Sequence, residues 1–175
     1  MPDEPLSAEL VFEGAIFSVH RETWPGGDRP YDVVRHVGAA GVLPITPEDD
    51  VILVRQRRPA IRRALVEIPA GLLGQREEDA LSCAARELLE ETGYRHTQIE
   101  FLGGVYTTAG FSNEYVHLFW ARTEPASAAE PEAGIELVRR PFAEMLIAAR
   151  AGRISDAKTA LALLLAEARG VVAVR

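Results

Sequence analysis

The segment ALSCAARELLEETGY, residues 80–94, places three glutamates on what otherwise has the pattern of an amphipathic helix. At about 100° per residue, one stripe of the helix is apolar and should face a sheet. The predicted stripe comprises Leu81, Ala84, Ala85, Leu88 and Thr92. Glu87, Glu90 and Glu91 are spaced so that their carboxylates share one sector beside that stripe. The segment therefore predicts a helix that packs on a sheet and carries its acids along the wall of a cleft.

Like charges at this spacing repel one another, so something should offset the repulsion. One explanation is ordinary: solvent screens the carboxylates, and Arg86 pairs with Glu90 four residues further on. The other explanation is a divalent cation, because clustered hard oxygen ligands suit Mg²⁺ or Mn²⁺. The preceding VEIPAGLLG taken alone is typical of an ordinary strand-to-helix turn. A turn containing Gly71 and Gly74 can also aim backbone carbonyls at such a cation.

Elsewhere the chain alternates between strand and helix patterns. Strand patterns cover residues 9–24, 31–38, 41–46, 51–57, 100–107 and 115–124. Helical periodicity covers residues 79–92, 141–150 after Pro141, and 155–168 after a cap at Ser155 or Asp156. Between them, segment 122–134, RTEPASAAEPEAG, predicts an exposed mobile loop. The prediction is a mixed sheet with helices packed on it.

Composition excludes several classes of function. A hydrophobic fraction of 47% is typical of a globular protein, and a formal net charge of −7 disfavours broad contact with nucleic acid or anionic membrane. No apolar run reaches the roughly 18 residues of a membrane span, so no transmembrane segment is predicted. The single cysteine, Cys83, and an acidic start without a signal-peptide profile favour a cytoplasmic location.

Residues 86–94, RELLEETGY, resemble the end of the signature of the Nudix hydrolases. That signature runs from a glycine through five residues to a glutamate, then through seven residues to REUxEExGU, where U is bulky and apolar. Here the glycine is Gly71 and the acid is Glu77 or Glu78, so the loop is one residue longer than the signature. The resemblance implies an α/β fold, the Nudix α/β/α sandwich of mixed sheet with flanking helices, plus a small N-terminal antiparallel sheet.

The resemblance also implies a metal-dependent hydrolase with defined catalytic groups. The implied ligands of Mg²⁺, with Mn²⁺ as the alternative, are Glu87, Glu90, Glu91 and the carbonyl of Ala70. Arg86 would brace the loop through Glu77 or Glu78, and both Arg86 and Glu91 count among the catalytic residues. The general base would lie shortly before the strand IELV at 135–138, which points to Glu132 first and Glu130 second. A solvated acidic loop is the ordinary alternative for either glutamate.

Further segments resemble one group of that family, the ADP-ribose pyrophosphatases. They are FEGAIFSV, VVRHVGAAGVLPI, VILVRQRRPA, EIPAGLL, TTAGFSNEYVHLFWA and GRISDAKTALALL. Members of the group cleave ADP-ribose or similar nucleotide sugars between the two phosphates and form dimers that exchange N-terminal strands. The resemblance therefore implies a homodimer, with residues 1–38 as a β-rich dimerisation segment and residues 39–175 as the hydrolase domain.

The resemblance implies a set of substrate-binding residues: Arg57, Arg58, Tyr31, Asp32, Phe111 and Glu114. The ordinary alternatives are core packing for Tyr31 and a solvated side chain for Arg57 and Glu114. By resemblance Arg58 grips phosphate, Tyr31 stacks on the base and Asp32 hydrogen-bonds it. Trp24 is the alternative stacking platform. The segment that contains Phe111 has Ala109 where the group often has a proline.

Together these residues imply Mg²⁺-dependent hydrolysis of the diphosphate linkage of ADP-ribose, or of a related nucleoside diphosphate sugar, to AMP and ribose 5-phosphate. Two alternatives stay open. One is another diphosphate substrate, such as GDP-mannose, an NDP-glucose, a dinucleotide or flavin adenine dinucleotide. The other is a nucleotide-sugar sensor of the same fold that does not catalyse turnover, because a fold alone does not guarantee activity.

Overall fold

The computed structural model describes residues 4–74, 78–126 and 132–173. The strands, in chain order, are β1 (Ser7–Glu13), β2 (Phe17–Thr23), β3 (Tyr31–His36), β4 (Ala39–Ile45), β5 (Asp50–Arg58), β6 (Arg63–Glu67), β7 (Ala70–Leu72), β8 (Tyr94–Tyr106), β9 (Tyr115–Pro125) and β10 (Glu136–Pro141). The helices are α1 (Ala80–Thr92), α2 (Phe142–Arg150) and α3 (Ala157–Ala168), and a 3₁₀ turn covers Pro59–Ile61. No helix in the described ranges is long and apolar enough to cross a membrane.

The strands form two sheets. The first three strands make a small antiparallel sheet in the order β1-β2-β3. The others make a seven-stranded sheet whose main path is β10-β5-β4-β9-β8, with β6 paired to β5 and β7 paired to β4. In this second sheet β4 and β9 are parallel, whereas the remaining pairs are antiparallel. The predicted mixed sheet with a small N-terminal antiparallel sheet is confirmed.

Helices cover both faces of the larger sheet, because β4 alternates its side chains between two apolar cores. Leu43 and Ile45 belong to a core shared with α2 and α3. Ala40 and Val42 point the other way, into a smaller core that includes Leu88 of α1. A central strand with both faces covered requires this continuous apolar sequence. The arrangement is the predicted α/β/α sandwich.

Local capping chemistry sets the helix boundaries where the sequence predicts them. The Asp79 carboxylate accepts the backbone N–H of Ser82 at 2.8 Å, and α1 ends at Gly93, which has a φ of 71°. For α3 the cap is Asp156 rather than Ser155, since its carboxylate accepts the backbone N–H of Thr159 at 2.9 Å. All three predicted helices are confirmed.

The prediction of an exposed loop over 122–134 is wrong for its first residues. Strand β9 continues to Pro125, and Thr123 is only 2% exposed. The reason is the partner strand: β8 begins at Tyr94, directly after α1, and pairs Tyr94 with Pro125. The segment 94–99 shows little strand pattern of its own, so the pairing decides its conformation. Residues 127–131 of the predicted loop lie outside the described ranges.

Candidate active site

Helix α1 buries two of its three glutamates. Glu87 is 8% exposed and Glu91 is 6% exposed, whereas Glu90 is exposed. The predicted stripe is therefore wrong in part, because the buried face is centred between the apolar residues and the acids. Leu81 is 41% exposed and Cys83 is fully buried. Two carboxylates thus enter the packed side of the helix instead of lying beside it.

Gly71 explains how a glutamate side chain fits there. A Cβ at Gly71 would lie 1.8 Å from Oε1 of Glu87, far closer than two non-bonded atoms can approach. Because Gly71 has no side chain, β7 leaves a space that the Glu87 carboxylate occupies. The sequence reasoning expected Gly71 to permit a close approach, and the group that approaches is the acid of α1.

Glu91 is held by two hydrogen bonds from other elements. The backbone N–H of Ala70 donates to its Oε2 at 3.1 Å, and Nε2 of Gln56 donates to its Oε1 at 3.3 Å. Burial raises the pKa of Glu91 to about 7, although the Ala70 bond opposes the shift; the nearby charge of Glu87 adds to it. Burial also raises the pKa of Glu87. Two adjacent carboxylates are thus poorly stabilised as anions by the protein alone.

Arg86 connects the loop to the helix. Its Nη2 donates to Glu78 Oε1 at 2.7 Å, and its Nη1 donates to Glu87 Oε1 at 2.6 Å and to Glu90 Oε2 at 2.8 Å. The brace to the loop therefore runs through Glu78, while Glu77 lies outside the described residues. The pairing with Glu90 four residues on, expected in the ordinary explanation, is also present.

The acids supply hard oxygen donors but no finished metal cage. Over the described part of the chain, no three acidic, histidine or cysteine side chains converge as a group that could hold a metal ion. Glu87 and Glu91 are nevertheless buried and have raised pKa values, and the backbone N–H of Ala70 donates a hydrogen bond to Glu91. Carboxylates in this state gain most from a cation, and their oxygen chemistry fits Mg²⁺ or Mn²⁺. Such an ion would compete with Arg86 for Glu87 and Glu90.

Glu132 lies beside this helix. Its backbone N–H donates to the carbonyl of Glu90 at 2.9 Å, and its charge contributes, after burial and other nearby groups, to the raised pKa of Glu87. The first candidate for the general base is therefore close to the buried acids, and its side chain is exposed to solvent. The second candidate, Glu130, lies outside the described residues.

The two neighbouring arginines of β5 point to opposite faces of the sheet, as alternate residues of a strand must. Arg58 faces the same side as Gln56, and its Nε donates to Glu67 Oε1 at 2.6 Å. Arg57 is exposed on the other side and does not join the acids. Gln56 and Glu67 escaped the sequence reasoning; the period-two pattern of the RQRR segment is the signal that could have found Gln56.

A separate cavity of about 760 Å³ lies between the N-terminal sheet and the segment 106–113. Three predicted substrate-binding residues line it, together with the alternative stacking residue: Tyr31, Asp32, Phe111 and Trp24. Asp32 forms an exposed ion pair with Arg21 at 2.8 Å. The lining also includes Glu22, which is only 1% exposed. Its carboxylate accepts a hydrogen bond from Nε1 of Trp24 at 3.1 Å and pairs with Arg35. Sequence reasoning missed Glu22 and Arg35.

Glu114 helps to hold the segment that closes this cavity. Its Oε2 accepts the hydroxyl of Thr107 at 2.5 Å, and its Oε1 lies 3.8 Å from Nδ1 of His36. The segment is tied to β3 by the backbone N–H of Val34, which donates to Phe111 at 2.7 Å. The structure thus gives Glu114 contacts that fix the loop beside the cavity.

Comparison with known proteins finds relatives along almost the whole chain. A family model described as "NUDIX domain" matches residues 35–162. An ADP-ribose pyrophosphatase of Bacillus subtilis is 32% identical over 170 residues, covering 93% of this chain and 91% of that protein. A GDP-mannose pyrophosphatase of Cronobacter sakazakii is 37% identical over 190 residues, covering 95% and 98%. A methanol dehydrogenase activator of Bacillus methanolicus is 33% identical over 168 residues, covering 92% and 90%.

A solved structure described as an ADP compounds hydrolase matches the fold with a TM-score of 0.78. The match covers 97% of this chain and 96% of that chain at 23% sequence identity. Because the likeness extends over the N-terminal sheet as well as the larger sheet, it supports the complete two-sheet architecture.

Proposed function

Because this chain belongs to the Nudix family, we infer that it is a pyrophosphohydrolase of nucleoside diphosphate sugars. We propose ADP-ribose as the preferred substrate, cleaved to AMP and ribose 5-phosphate, since two relatives named ADP-ribose pyrophosphatase match most of the chain. The observation that carries the proposal is the pair of buried carboxylates, Glu87 and Glu91, packed against Gly71 beside the Arg86 brace. GDP-mannose is the second candidate, because relatives named for it reach 37% identity.

The proposed metal ligands are the carboxylates of α1 and one backbone carbonyl: Glu87, Glu90, Glu91 and Ala70. Their burial and raised pKa support this role for Glu87 and Glu91. When bound, Mg²⁺, or Mn²⁺ in its place, supplies the positive charge that neutralises a diphosphate and polarises its phosphorus. Arg86 keeps the loop end and the helix acids in register through Glu78.

Glu132 is proposed as the general base. A water oxygen forms a bond to one phosphorus while the bond from that phosphorus to the bridging oxygen breaks. The bridging oxygen leaves with the other phosphate, and the proton of the attacking water passes to the Glu132 carboxylate. The position of Glu132 next to Glu90 supports this role, because the attack must take place beside the acids of α1.

Substrate binding is proposed to combine Arg58 with the cavity between the N-terminal sheet and the segment 106–113. Arg58 would contact a phosphate, and its place on the face of β5 that also carries Gln56 supports this role. Tyr31 and Phe111 would pack against the base, and Asp32 would hydrogen-bond it. Arg57 is the weaker candidate for a phosphate contact because its side chain faces away from the acids.

The experiment is hydrolysis of ADP-ribose with Mg²⁺ by the wild type and by Glu91→Gln, followed through release of AMP. A loss of several orders of magnitude in kcat is expected for the variant, because a charged group at the reaction centre is removed. The control is Glu124→Gln, an exposed glutamate paired with Arg95, which should leave the rate unchanged. Equal rates for wild type and Glu91→Gln would refute the assignment.

A substrate panel decides between the enzyme alternatives and the sensor. It compares kcat/KM for ADP-ribose, GDP-mannose, an NDP-glucose, a dinucleotide and flavin adenine dinucleotide at fixed Mg²⁺. A tenfold advantage for another compound would replace ADP-ribose. Thermal stabilisation by ADP-ribose without any cleavage, with either Mg²⁺ or Mn²⁺, would replace the enzyme with a sensor.

The proposal includes a homodimer built through the N-terminal sheet. Strand β1 is exposed along its whole length and carries large apolar side chains; Leu10 and Phe12 are each 51% exposed. Contiguous exposed apolar side chains of this kind mark interaction surfaces.

A cytoplasmic location is part of the same proposal and rests on the single cysteine, Cys83.

A further inference from the structure

A buried carboxylate between two cations lies next to the proposed phosphate site. Glu67, at the end of β6, is 1% exposed. Its Oε1 accepts Nε of Arg58 at 2.6 Å, and its Oε2 contacts the ammonium group of Lys158. Lys158 also donates to Oδ1 of Asp156 at 2.9 Å. It is the only lysine among the 19 lysine and arginine residues of the chain, and its side chain is 16% exposed.

This cluster is rigidly attached to the fold. Asp156 caps α3 by accepting the backbone N–H of Thr159 at 2.9 Å. The hydroxyl of Thr159 in turn accepts the backbone N–H of Ile68 at 2.8 Å, directly after Glu67. The first turn of α3 and the end of β6 therefore hold each other at fixed distance. A lysine on that turn has little freedom to move away from Glu67.

The charges of the cluster decide which member can meet a ligand. Two cations, Arg58 and Lys158, face two carboxylates, Glu67 and Asp156, so the cluster as a whole offers no net positive charge. Lys158 is enclosed by both acids, whereas the Arg58 side chain is 38% exposed. Arg58 is thus the member that can reach a phosphate, and Lys158 is placed to hold the acid that orients it.

The geometry of arginine explains why that hold matters. A guanidinium and a carboxylate prefer a pair of parallel hydrogen bonds that uses both carboxylate oxygens. In the structure Lys158 contacts Oε2 of Glu67, and Arg58 binds the other oxygen through Nε. Its two terminal nitrogens, which make no hydrogen bond to the described part of the chain, are left for a ligand. Without Lys158, the guanidinium of Arg58 could rotate and donate a hydrogen bond from a terminal nitrogen to Oε2 of Glu67.

Arg58 is directed toward the acids of α1. It lies two residues from Gln56 on the same face of β5, and Gln56 donates to Glu91 at 3.3 Å. Burial opposes its charge, but the hydrogen bond and charge of Glu67 outweigh that effect and raise the pKa of Arg58, with smaller contributions from Glu91 and Asp156. A phosphate held by Arg58 would therefore lie beside the carboxylate cleft.

We propose that Lys158 is a positioning residue for the phosphate-binding arginine: by occupying one oxygen of Glu67, it keeps the terminal nitrogens of Arg58 turned toward the substrate diphosphate. The inference rests on the proposed function, since it takes Arg58 to contact phosphate. Lys158 itself does not touch the substrate. The single lysine of the chain thus lies on α3 yet acts on a residue of β5.

A double-mutant cycle tests the proposal with ADP-ribose, or with GDP-mannose if that is the better substrate. Lys158→Met removes the ammonium group and retains the aliphatic stem. It should lower kcat/KM by about 10- to 100-fold, the range expected when a contact to the reacting group is misplaced. In an Arg58→Met background the same substitution should change kcat/KM by less than about twofold, because the group it positions is gone. Lys158→Arg should restore part of the loss.

Binding without turnover gives a second readout. Isothermal titration of ADP-ribose in EDTA should show a weaker Kd for Lys158→Met and for Arg58→Met, and no further weakening when they are combined. Arg150→Met, which breaks an exposed ion pair with Glu167, is the matched control and should leave both Kd and kcat/KM unchanged. Thermal unfolding shows whether each variant is folded at the assay temperature.

Independent effects of Lys158→Met and Arg58→Met would overturn the proposal, as would unchanged kcat/KM and Kd in Lys158→Met. If Lys158→Met does not fold, the same cycle with Lys158→Gln, which also removes the positive charge and keeps a polar end, decides by the same two outcomes. Failure of the proposed function looks different: the wild type would then hydrolyse none of the compounds, or Arg58→Met alone would leave both kcat/KM and Kd unchanged.

Discussion

At the scale of single residues, the site depends on the atoms that surround two buried carboxylates. Glu87 fills the space left by Gly71, and Glu91 takes hydrogen bonds from Ala70 and Gln56. Burial raises the pKa of both acids. The protein thus maintains two ionisable groups in a state that is unfavourable without a cation, which is a common property of functional sites.

Gly71→Ala tests the packing of Glu87. The added Cβ would overlap the carboxylate, so Glu87 must move, and we expect a loss of about 1–3 kcal/mol in the free energy of unfolding. The measurement is chemical denaturation in EDTA. In a Glu87→Ala background the same substitution should have little effect on stability. An equal loss in both backgrounds would show that the collision is with the backbone instead.

The pH dependence of stability tests the burial of Glu91. Its pKa is raised from 4.5 to about 7, so the folded state keeps a proton that the unfolded state has lost. The contribution of Glu91 to the free energy of unfolding is therefore largest below about pH 4.5. It is lost as the pH rises from there through 7, by up to about 3 kcal/mol. Denaturation in EDTA at several pH values measures it, and Glu91→Gln should flatten the curve between pH 5 and pH 8. A Glu91→Gln curve as steep as that of the wild type would contradict the shift.

At the scale of elements, the site is the meeting point of pieces that are distant in sequence. Helix α1 supplies the acids, β7 supplies the glycine that makes room for one of them, and β5 supplies Gln56 and Arg58. Helix α3 adds Lys158 from a position 91 residues away from its partner Glu67. The first turns of α1 and α3 are capped by aspartates, but only the cap of α3 is also part of the charged cluster.

The two caps should differ in what their removal does. Asp156→Ala loses the bond to the backbone of Thr159 and the contact with Lys158, so we expect a decrease of about 2 kcal/mol in the free energy of unfolding. Asp79→Ala loses an exposed cap alone and should lower the melting temperature less. Thermal unfolding of both variants measures the difference. A larger shift for Asp79→Ala would contradict the view that Asp156 joins two elements.

At the scale of the whole molecule, the two sheets divide the proposed tasks. The larger sheet carries Arg58, and α1, which packs on that sheet, carries the acids. The smaller sheet and the segment 106–113 enclose the cavity proposed for the base. Strand β1 lies at the outer edge of the smaller sheet with its apolar side chains exposed. An unpaired strand edge with apolar side chains favours association with another chain, which fits the proposed homodimer.

Leu10→Glu combined with Phe12→Glu tests the dimer. Charges placed on the exposed face of β1 should convert a dimer into a monomer, because they would be buried without partners at the interface. Light scattering after size-exclusion chromatography measures the mass. The control is Ile147→Glu on α2, where the replaced side chain is 58% exposed. A monomer mass for the wild type would remove the dimer from the proposal.

The sequence alone determined the parts of this protein that depend on neighbours along the chain. The ends of α1 follow from the Asp79 cap and Gly93, and the spacing of the glutamates with Arg86 predicts their common helix. Helical periodicity and capping operate within a few residues, so they can be read without a partner. The resemblance of RELLEETGY to a known signature added the family, which the comparison confirms.

Only the tertiary structure decided which sector of α1 is buried, and with it the difference between Glu90 and the other two glutamates. That choice depends on the space at Gly71, which belongs to strand β7 and not to the helix. The same holds for Glu67 and Lys158, which have ordinary local sequence contexts and acquire their roles when β6 meets the first turn of α3. Burial and ion pairing depend on atoms that are distant along the chain, and only packing brings those atoms together.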